Sequence, residues 1–323
     1  MMKENKEKYV EFCKTTYVPI YSKPWWMDAV CGEENWNVWL YEKNEVVVAA
    51  MPYYMEKRNN YNYITKAPLT QNNGIIFQYP EGAKDLAKAK FEEEVINSAC
   101  CFIEGLGVDV YEQQYQTEFT NWLPFFWNQY QEITRYTYQI GNTSDLDAIW
   151  ESFAGNRRKK IKKGLKNAVY EEIRDVKLFY EEHEKIFRKQ NLRCPFSYDL
   201  WLRLVKGCQE HGSCQMMVAK TEEGKIASLS FLVWDEKKLY RLLGGGIPEY
   251  QNLDTYSAMT WMEIQLAHEK GLIYDFEGSV IKRISKSNAE YGAVPKPYFR
   301  IRKVFNPEIM RMETEKRIED QRK

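Results

Sequence analysis

The chain has 323 residues, 46 of them basic and 46 acidic, so its formal net charge is zero. A chain of this length fits two domains of about 150 residues each. The balanced charge gives no whole-molecule field that would attract nucleic acid, so we expect no DNA partner. There is no run of about 18 apolar residues, and the first residues are charged, so the sequence predicts neither a membrane span nor a signal peptide.

Seven cysteines are scattered along the chain without a C-x-x-C pair. This pattern predicts reduced thiols and a cytoplasmic protein. Cys208, His211 and Cys214 are evenly spaced, but no fourth ligand is evident, and we predict no metal site. The histidines have no serine or cysteine partner at a useful spacing, which argues against a hydrolase triad.

The first part of the chain predicts a short helix opened by residues 24–28 and then a strand hairpin over 36–50. A long helix follows over 84–105, because its apolar residues recur along one stripe. Strands over 108–115 and 134–140 complete this part.

The second part begins after residues 141–143, and Ser144 with Asp147 resembles a capping box that starts a helix. A dense basic run then occupies residues 157–163. The remaining predicted elements are helices over 177–190 and 198–210, strands over 215–220, 226–235 and 298–304, and a charged tail from 306.

The stretch over residues 238–278 predicts a strand, a glycine run that ends it, a polar loop, a buried helix and a short strand. The helix starts at Tyr256 and faces the end of the first strand. A helix N-terminus in such a place binds anionic groups, so we expect a ligand site here. Gly244 and Gly245 serve a bulge or a close approach of the backbone.

Both parts of the chain repeat one order of elements, over residues 36–115 and 214–277, which predicts two related α/β domains. The sequence resembles the Fem-type (FemABX) aminoacyltransferases and their relatives in the GNAT acyltransferase superfamily over about residues 20–305. The order of the motifs carries the likeness. These motifs lie at residues 24–30, 50–53, 122–125, 135–138, 157–163, 274–279, 291–293 and 297–298.

The resemblance implies an α/β fold of two tandem GNAT-like domains, each a mixed, mostly antiparallel sheet flanked by helices. We place the N-terminal domain at residues 1–140, the C-terminal acyltransferase domain at 141–305 and the charged tail at 306–323. The resemblance also implies transfer of an acyl or aminoacyl group to an amine. Acyl-CoA or aminoacyl-tRNA would be a co-substrate, with no tightly bound cofactor, so tRNA is a candidate partner beside a small-molecule or precursor substrate.

The sequence departs from the family pattern at two places. GNAT enzymes that use acetyl-CoA carry a glycine-rich turn at the helix start, whereas residues 248–254 contain no glycine and two acids. This departure argues against CoA as the carrier of the donor group more than it argues against acyl transfer as the reaction. Fem enzymes often carry a lysine near bound phosphates where this chain has Asn288, which weakens recognition of a nucleotide-linked peptidoglycan precursor.

Two carboxylates and a tyrosine are the predicted catalytic residues. Asp275 and Glu277 lie two apart at a strand end and would share one face. A carboxylate there could deprotonate the attacking amine if desolvation raised its pKa. The alternative is a cap or an ion pair to Lys282 or Arg283. Tyr256 could hydrogen-bond a tetrahedral intermediate, although a packed tyrosine is commoner.

The basic run has two interpretations, a phosphate clamp with planar arginine forks or a solvated helix face. The aromatic residues near the N-terminus likewise form either cleft walls or core. The predicted substrate- or phosphate-binding residues are Trp26, Asp28, Tyr53, Arg157, Arg158, Lys160, Gly244 and Gly245.

The sequence therefore predicts an acyltransferase that transfers an acyl or aminoacyl group to an amine, with a cell-envelope or peptidoglycan precursor as the candidate acceptor. One alternative is an acyl-CoA-dependent N-acyltransferase that acts on a small amine. The other is a non-catalytic binding protein that retains the fold.

Overall fold

The computed structural model describes residues 2–188, 191–278 and 280–321. The chain forms two compact units, one made of the residues up to Thr134 with those from Tyr298 onward, the other of Arg135–Pro297. The sequence predicted divisions at residues 140 and 305. The last strand instead returns to the first unit, because Arg300 to Val304 pair with a strand of that unit.

The first part of the chain contains the predicted elements in the predicted order, with an additional short helix over residues 123–127 and another helix at the start. That helix was not predicted because its sequence is mostly polar. The elements up to residue 140 are α1 (Met2–Thr15), a 3-10 turn (Ile20–Ser22), α2 (Pro24–Cys31), β1 (Trp36–Lys43), β2 (Val46–Arg58), β3 (Tyr61–Thr65), β4 (Ile76–Phe77), α3 (Asp85–Gly105), β5 (Val110–Gln114), α4 (Leu123–Trp127) and β6 (Gln131–Ile140).

The remaining elements include α10, which the sequence did not predict. They are α5 (Leu146–Ser152), α6 (Gly155–Asn167), β7 (Val169–Glu172), α7 (Val176–Arg188), α8 (Tyr198–Glu210), β8 (Cys214–Lys220), β9 (Ile226–Trp234), β10 (Lys238–Gly246), a 3-10 turn (Pro248–Leu253), α9 (Thr255–Glu269), β11 (Ile273–Asp275), α10 (Lys282–Ala289), β12 (Val294–Val304) and α11 (Pro307–Gln321).

Three local predictions need comment. The cap of α5 is Asp145, whose carboxylate accepts from the N–H of Ala148, and not Ser144. The glycine run does not end its strand, since β10 continues through Gly246 in register with β9. Lys189 and Gln190 of the predicted helix over 177–190, and residues 322–323 of the predicted tail, lie outside the described residues.

The first unit has a sheet in the order β1-β2-β3-β5-β12, with β4 beside β2. Its pairs are antiparallel except β3 with β5. The core lies between this sheet and α3, whose apolar stripe includes Phe91, Val95, Ala99 and Ile103, as the helical spacing predicted.

The second unit has a sheet in the order β6-β11-β10-β9-β8-β7, in which only β10 and β11 run parallel. On one face, Leu232 packs with Met259 of α9 and Ile161 of α6. On the other face, Phe231 meets the rings of Phe179 in α7 and Trp201 in α8. Helices therefore cover both faces, because neighbouring residues of a strand point to opposite sides.

His183 of α7 is buried among the rings of Phe179, Phe187 and Phe196. Its Nδ1 atom has no hydrogen-bond partner among the described residues. Burial disfavours the imidazolium and lowers the pKa of His183 from 6.5 to about 4. The histidine is therefore neutral in the folded protein.

Stability should fall as the pH drops from 6.5 towards 4, because the unfolded chain takes up a proton on His183 that the folded chain does not. The loss should reach about 3 kcal/mol. His183→Phe should remove this part of the pH dependence in urea unfolding followed between pH 7.5 and 4. His211→Gln, at an exposed position, is the matched control. If the free energy of unfolding of His183→Phe fell with pH as steeply as that of the unmodified protein, the prediction would be contradicted.

Candidate active site

An opening lies within the second unit, where β10 and β11 separate. Their parallel pairing ends at Tyr240 opposite Asp275. Beyond this point β10 continues along β9, whereas the chain after β11 follows β6: the N–H of Phe276 donates to the carbonyl of Tyr138 at 2.9 Å. A bulge in β10 between residues 241 and 243 accompanies the separation. Two neighbouring strands thus diverge and leave backbone groups between them unpaired with each other.

The glycines predicted as binding residues lie on the β10 side of this opening. Gly244 pairs with Ser230 of β9 and is partly exposed. A Cβ atom on Gly245 would lie 2.8 Å from Cδ1 of Ile186 in α7, so this glycine permits a close approach of that helix.

Asp275, at the end of β11, is buried and saturated with hydrogen bonds. Its carboxylate accepts from the hydroxyl of Thr137, the side-chain amide of Gln139 at 2.7 Å and the N–H of Glu277 at 2.8 Å. Burial raises the pKa of Asp275, and these bonds oppose the rise. The geometry makes Asp275 a positioning residue that fixes the chain after β11 to β6.

Glu277 differs from Asp275 in having no such partners. Both of its carboxyl oxygens are buried, and neither has a hydrogen-bond partner in the part of the chain described, although the residue as a whole is partly exposed. Desolvation raises the pKa of Glu277 well above its ordinary value near 4.5. The residue also has φ of 54°, in the left-handed region that non-glycine residues rarely adopt.

This conformation corrects the expectation that Asp275 and Glu277 share a face of a strand. The strand ends at Asp275, and the left-handed turn at Glu277 breaks the alternation. The alternative considered from the sequence, an ion pair from Glu277 to Lys282 or Arg283, does not occur among the described residues. Ser279, the last residue of the predicted motif over 274–279, lies outside them.

Arg241 of β10, which the sequence analysis did not single out, links this strand to α9 beside the opening. Its guanidinium pairs with the buried carboxylate of Glu263 and donates to the hydroxyls of Thr260 at 2.7 Å and Tyr256 at 3.0 Å. It also lies 5.4 Å from the ring centre of Phe276. An arginine in an apolar strand and a glutamate in a mostly buried helix were the sequence signal for this pair.

Tyr256, predicted as catalytic, is enclosed by the same cluster. Burial raises its pKa, so its hydroxyl keeps its proton. The hydroxyl oxygen accepts from Arg241, and its own proton has no acceptor in the described segments. Tyr256 is thus a polarised hydrogen-bond donor. It lies beside the end of β10, since its Cβ is 3.5 Å from the position that a Cβ on Gly246 would take.

The N-terminus of α9, where we expected an anion, is covered by α6. Lys163 pairs with Asp254 at 3.0 Å, and Asn167 donates to the carbonyl of Leu253 at 3.2 Å. A Cβ on Gly164 would lie 2.5 Å from the carbonyl oxygen of Asp254. The helix end is therefore closed to a bound anion in this structure, because α6 and a carboxylate occupy the space around it.

Arg157 does not present a free fork for phosphate. It is buried, donates to Glu290 at 2.7 Å and to the hydroxyls of Ser257 and Ser287 at 3.0 Å each, and stacks 4.4 Å from the ring centre of Tyr291. Its terminal nitrogens are thus committed to contacts within the unit. Arg157 instead ties α6 to α9 and α10.

The rest of the basic run divides between paired and unpaired residues. Arg158 pairs with Glu151 at 2.8 Å. Lys160 has no ion-pair partner in the described ranges, and the same holds for Lys159, Lys162 and Lys166. These four lysines are the part of α6 that remains available to a ligand.

Three predicted binding residues lie in the first unit. Trp26 is fully buried and donates its indole N–H to the hydroxyl of Thr70 at 2.9 Å. Asp28 accepts from the indole of Trp36 at 2.7 Å, and Tyr53 is buried in β2. Their contacts are those of packing residues, and a role in substrate binding stays a prediction.

Comparison with known proteins gives two kinds of match. Residues 152–290 match the family model described as an acetyltransferase (GNAT) domain. The solved structure of FemX aligns with a TM-score of 0.70 and 13% sequence identity, covering 95% of this chain and 98% of that chain. The fold is that of the Fem-type GNAT proteins. Curated protein sequences gave no match.

Two further solved structures have a similar fold. The C-terminal domain of a protein provisionally named a lysylphosphatidylglycerol synthetase, from Agrobacterium fabrum, has a TM-score of 0.56 and 11% identity, covering 93% of this chain and 92% of that chain. A tandem GNAT protein from the clavulanic acid biosynthesis pathway aligns with a TM-score of 0.52 and 9% sequence identity. The alignment covers 93% of this chain and 94% of that chain. At these sequence identities the matches show the fold alone. No described helix is long and apolar enough to cross a membrane.

Gly164→Ala should lower stability by about 1–3 kcal/mol, because the added methyl group forces α6 away from the start of α9. Gly155→Ala is the matched control, since a Cβ at that end of α6 meets nothing within 4 Å. Thermal unfolding of both variants tests this. An alanine at 164 that left the melting temperature unchanged would mean that the two helices are not in close contact.

Proposed function

We propose that the protein transfers an aminoacyl group from an ester donor to an amine acceptor at the opening between β10 and residues 276–278. The observation that carries the proposal is the carboxyl group of Glu277, buried and without a partner where the two strands separate. An unpartnered buried carboxyl group is costly to the fold. Groups of this kind with raised pKa values are concentrated at catalytic sites.

In the proposed reaction the amine nitrogen attacks the carbonyl carbon of the donor ester. A C–N bond forms, the ester C–O bond breaks, and the carboxylate of Glu277 takes the proton that the amine loses. The same carboxyl group then returns a proton to the leaving oxygen. A base with a raised pKa suits this step, because it removes a proton near neutral pH and still gives it back.

Two neighbours would assist Glu277. The hydroxyl of Tyr256, which accepts from Arg241 at 3.0 Å, would donate to the oxyanion of the tetrahedral intermediate. Asp275 would act as a positioning residue, since it holds the N–H of Glu277 at 2.8 Å and thereby fixes where the carboxyl group lies. The substrate would have to displace the groups that now enclose that carboxyl.

The closed N-terminus of α9 favours an aminoacyl ester over acyl-CoA as donor. A CoA pyrophosphate would need the amides at that helix end, which Asp254 and α6 cover. The unpaired lysines of α6 could instead contact the phosphates of a tRNA-borne donor. The likeness to FemX supports this choice at the level of the fold. For the acceptor, a primary amine on a cell-envelope precursor is the proposed class.

Glu277→Gln should lower kcat by about 10²–10⁴-fold, because the amide cannot accept the proton. The assay is transfer of labelled amino acids from a charged tRNA mixture to a panel of primary amines. Glu222→Gln, an exposed carboxylate outside the site, is the matched control. Undiminished transfer by Glu277→Gln would remove this residue from the mechanism, and no transfer by the unmodified protein would count against the proposed reaction.

Glu277→Gln should also stabilise the protein increasingly as the pH rises above 4.5. Above that value the unfolded chain releases the proton of Glu277, while the folded chain retains it until the pH reaches the raised pKa, and this difference destabilises the fold of the unmodified protein. Below pH 4.5 the carboxyl group is protonated in both states, and the effect vanishes. Urea unfolding of both proteins from pH 4 to 8.5 tests this; a constant difference across that range would refute the raised pKa.

A further inference from the structure

The segment over residues 280–286 displays aliphatic side chains on the surface of the second unit. Val280 is 61% exposed, Ile281 57% and Ile284 37%. Three cationic side chains, Lys282, Arg283 and Lys286, are exposed in the same short stretch. Single exposed aliphatic residues are ordinary, but several contiguous ones mark a contact surface.

The cations of this segment are not neutralised by the protein. Lys282, Arg283 and Lys286 have no ion-pair partner among residues 2–188, 191–278 and 280–321. Of the two acids that flank the segment, Glu277 makes no hydrogen bond through its carboxyl group among the described residues, and Glu290 is held by Arg157 at 2.7 Å. The segment is therefore locally cationic in a chain whose formal net charge is zero.

The exposed aliphatic residues are not on a loosely attached helix. The inward side chains of α10 are polar and anchored: Ser285 bonds to the hydroxyl of Tyr138, Ser287 accepts from Arg157 at 3.0 Å, and Asn288 is buried. An ordinary surface helix turns its apolar residues inward and its polar residues outward. This segment has polar anchors on its inner side, and aliphatic side chains are exposed beside the cations on its outer side.

We propose that the segment over residues 280–286 docks on an anionic lipid bilayer. Aliphatic side chains would enter the interface while lysine and arginine contact lipid phosphates, the two interactions that hold a peripheral protein on such a surface. A nucleic acid would use the cations but leave three exposed aliphatic side chains without a role. An acidic protein surface would use both, and it is an outcome of the test below.

The position of the segment gives the docking a functional meaning beyond the proposed reaction. It follows Gly278 closely in sequence, and Gly278 is fixed at the opening because its N–H donates to Thr137 at 2.9 Å. A bilayer bound here would lie beside the entrance to the opening. An amine carried on a membrane lipid could thus approach Glu277 without leaving the surface.

The test is co-sedimentation of the full chain with vesicles. We expect binding to phosphatidylcholine vesicles that contain phosphatidylglycerol, weaker binding at high salt, and little binding to phosphatidylcholine alone. Lys282→Gln with Arg283→Gln should weaken binding about tenfold or more, and Ile281→Ser with Ile284→Ser should weaken it at both salt concentrations. All four positions are exposed, so thermal unfolding should be little changed.

The matched control is Lys159→Gln with Lys166→Gln on α6, which removes two equally unpaired lysines elsewhere in the unit. Loss of vesicle binding in this control, or full binding by both segment variants, would overturn the proposal. So would segment variants that bind vesicles normally but lose binding to tRNA or to a soluble acidic protein. Transfer to a soluble amine should persist in the segment variants, which separates failure of docking from failure of the proposed reaction.

Discussion

The site depends on the separation of β10 from the chain that follows β11. Asp275 maintains it by accepting three hydrogen bonds, two from β6 and one from the N–H of Glu277. These bonds draw the chain after β11 towards β6 and away from β10. They also hold Glu277 in its left-handed conformation. Asp275, whose carboxylate accepts three hydrogen bonds, thus lies two residues before Glu277, whose buried carboxyl group accepts none among the described residues.

The helical side of the opening is built from charged pairs that serve the protein and not a ligand. The buried pair of Arg241 with Glu263 orients Tyr256, and removal of either partner would leave an isolated charge in the core. Lys163 and Arg157 join α6 to the elements around the opening. A basic run that resembles a phosphate clamp in sequence therefore makes structural contacts through Arg157 and Lys163, while Lys159, Lys160, Lys162 and Lys166 make no ion pair among the described residues.

Periodicity predicted the regular elements well, since α3 and α8 have strong apolar stripes that fix their length. It failed for α10, because an inverted pattern gives no inward apolar stripe. It also failed at the glycine run, since glycine was taken as a strand breaker where it permits the approach of Ile186. The order of motifs predicted the fold. The sequence placed Glu277 near the site, but its desolvation depends on residues distant in the chain. Arg241 in an apolar strand was a signal in the sequence, but its pairing with Glu263 became evident only in the fold.

The contacts that shape the second unit around the opening join residues far apart in the chain. Thr137 and Asp275 are separated by 138 positions, and Lys163 and Asn252 by 89. Such contacts form late in folding, because the entropy of closing a long loop is lost before any contact rewards it. A nascent or partly folded chain therefore carries Glu277 as an ordinary solvated carboxylate. The raised pKa of Glu277 is therefore a property of the folded unit, and it is absent from a chain that has not yet buried this carboxyl group.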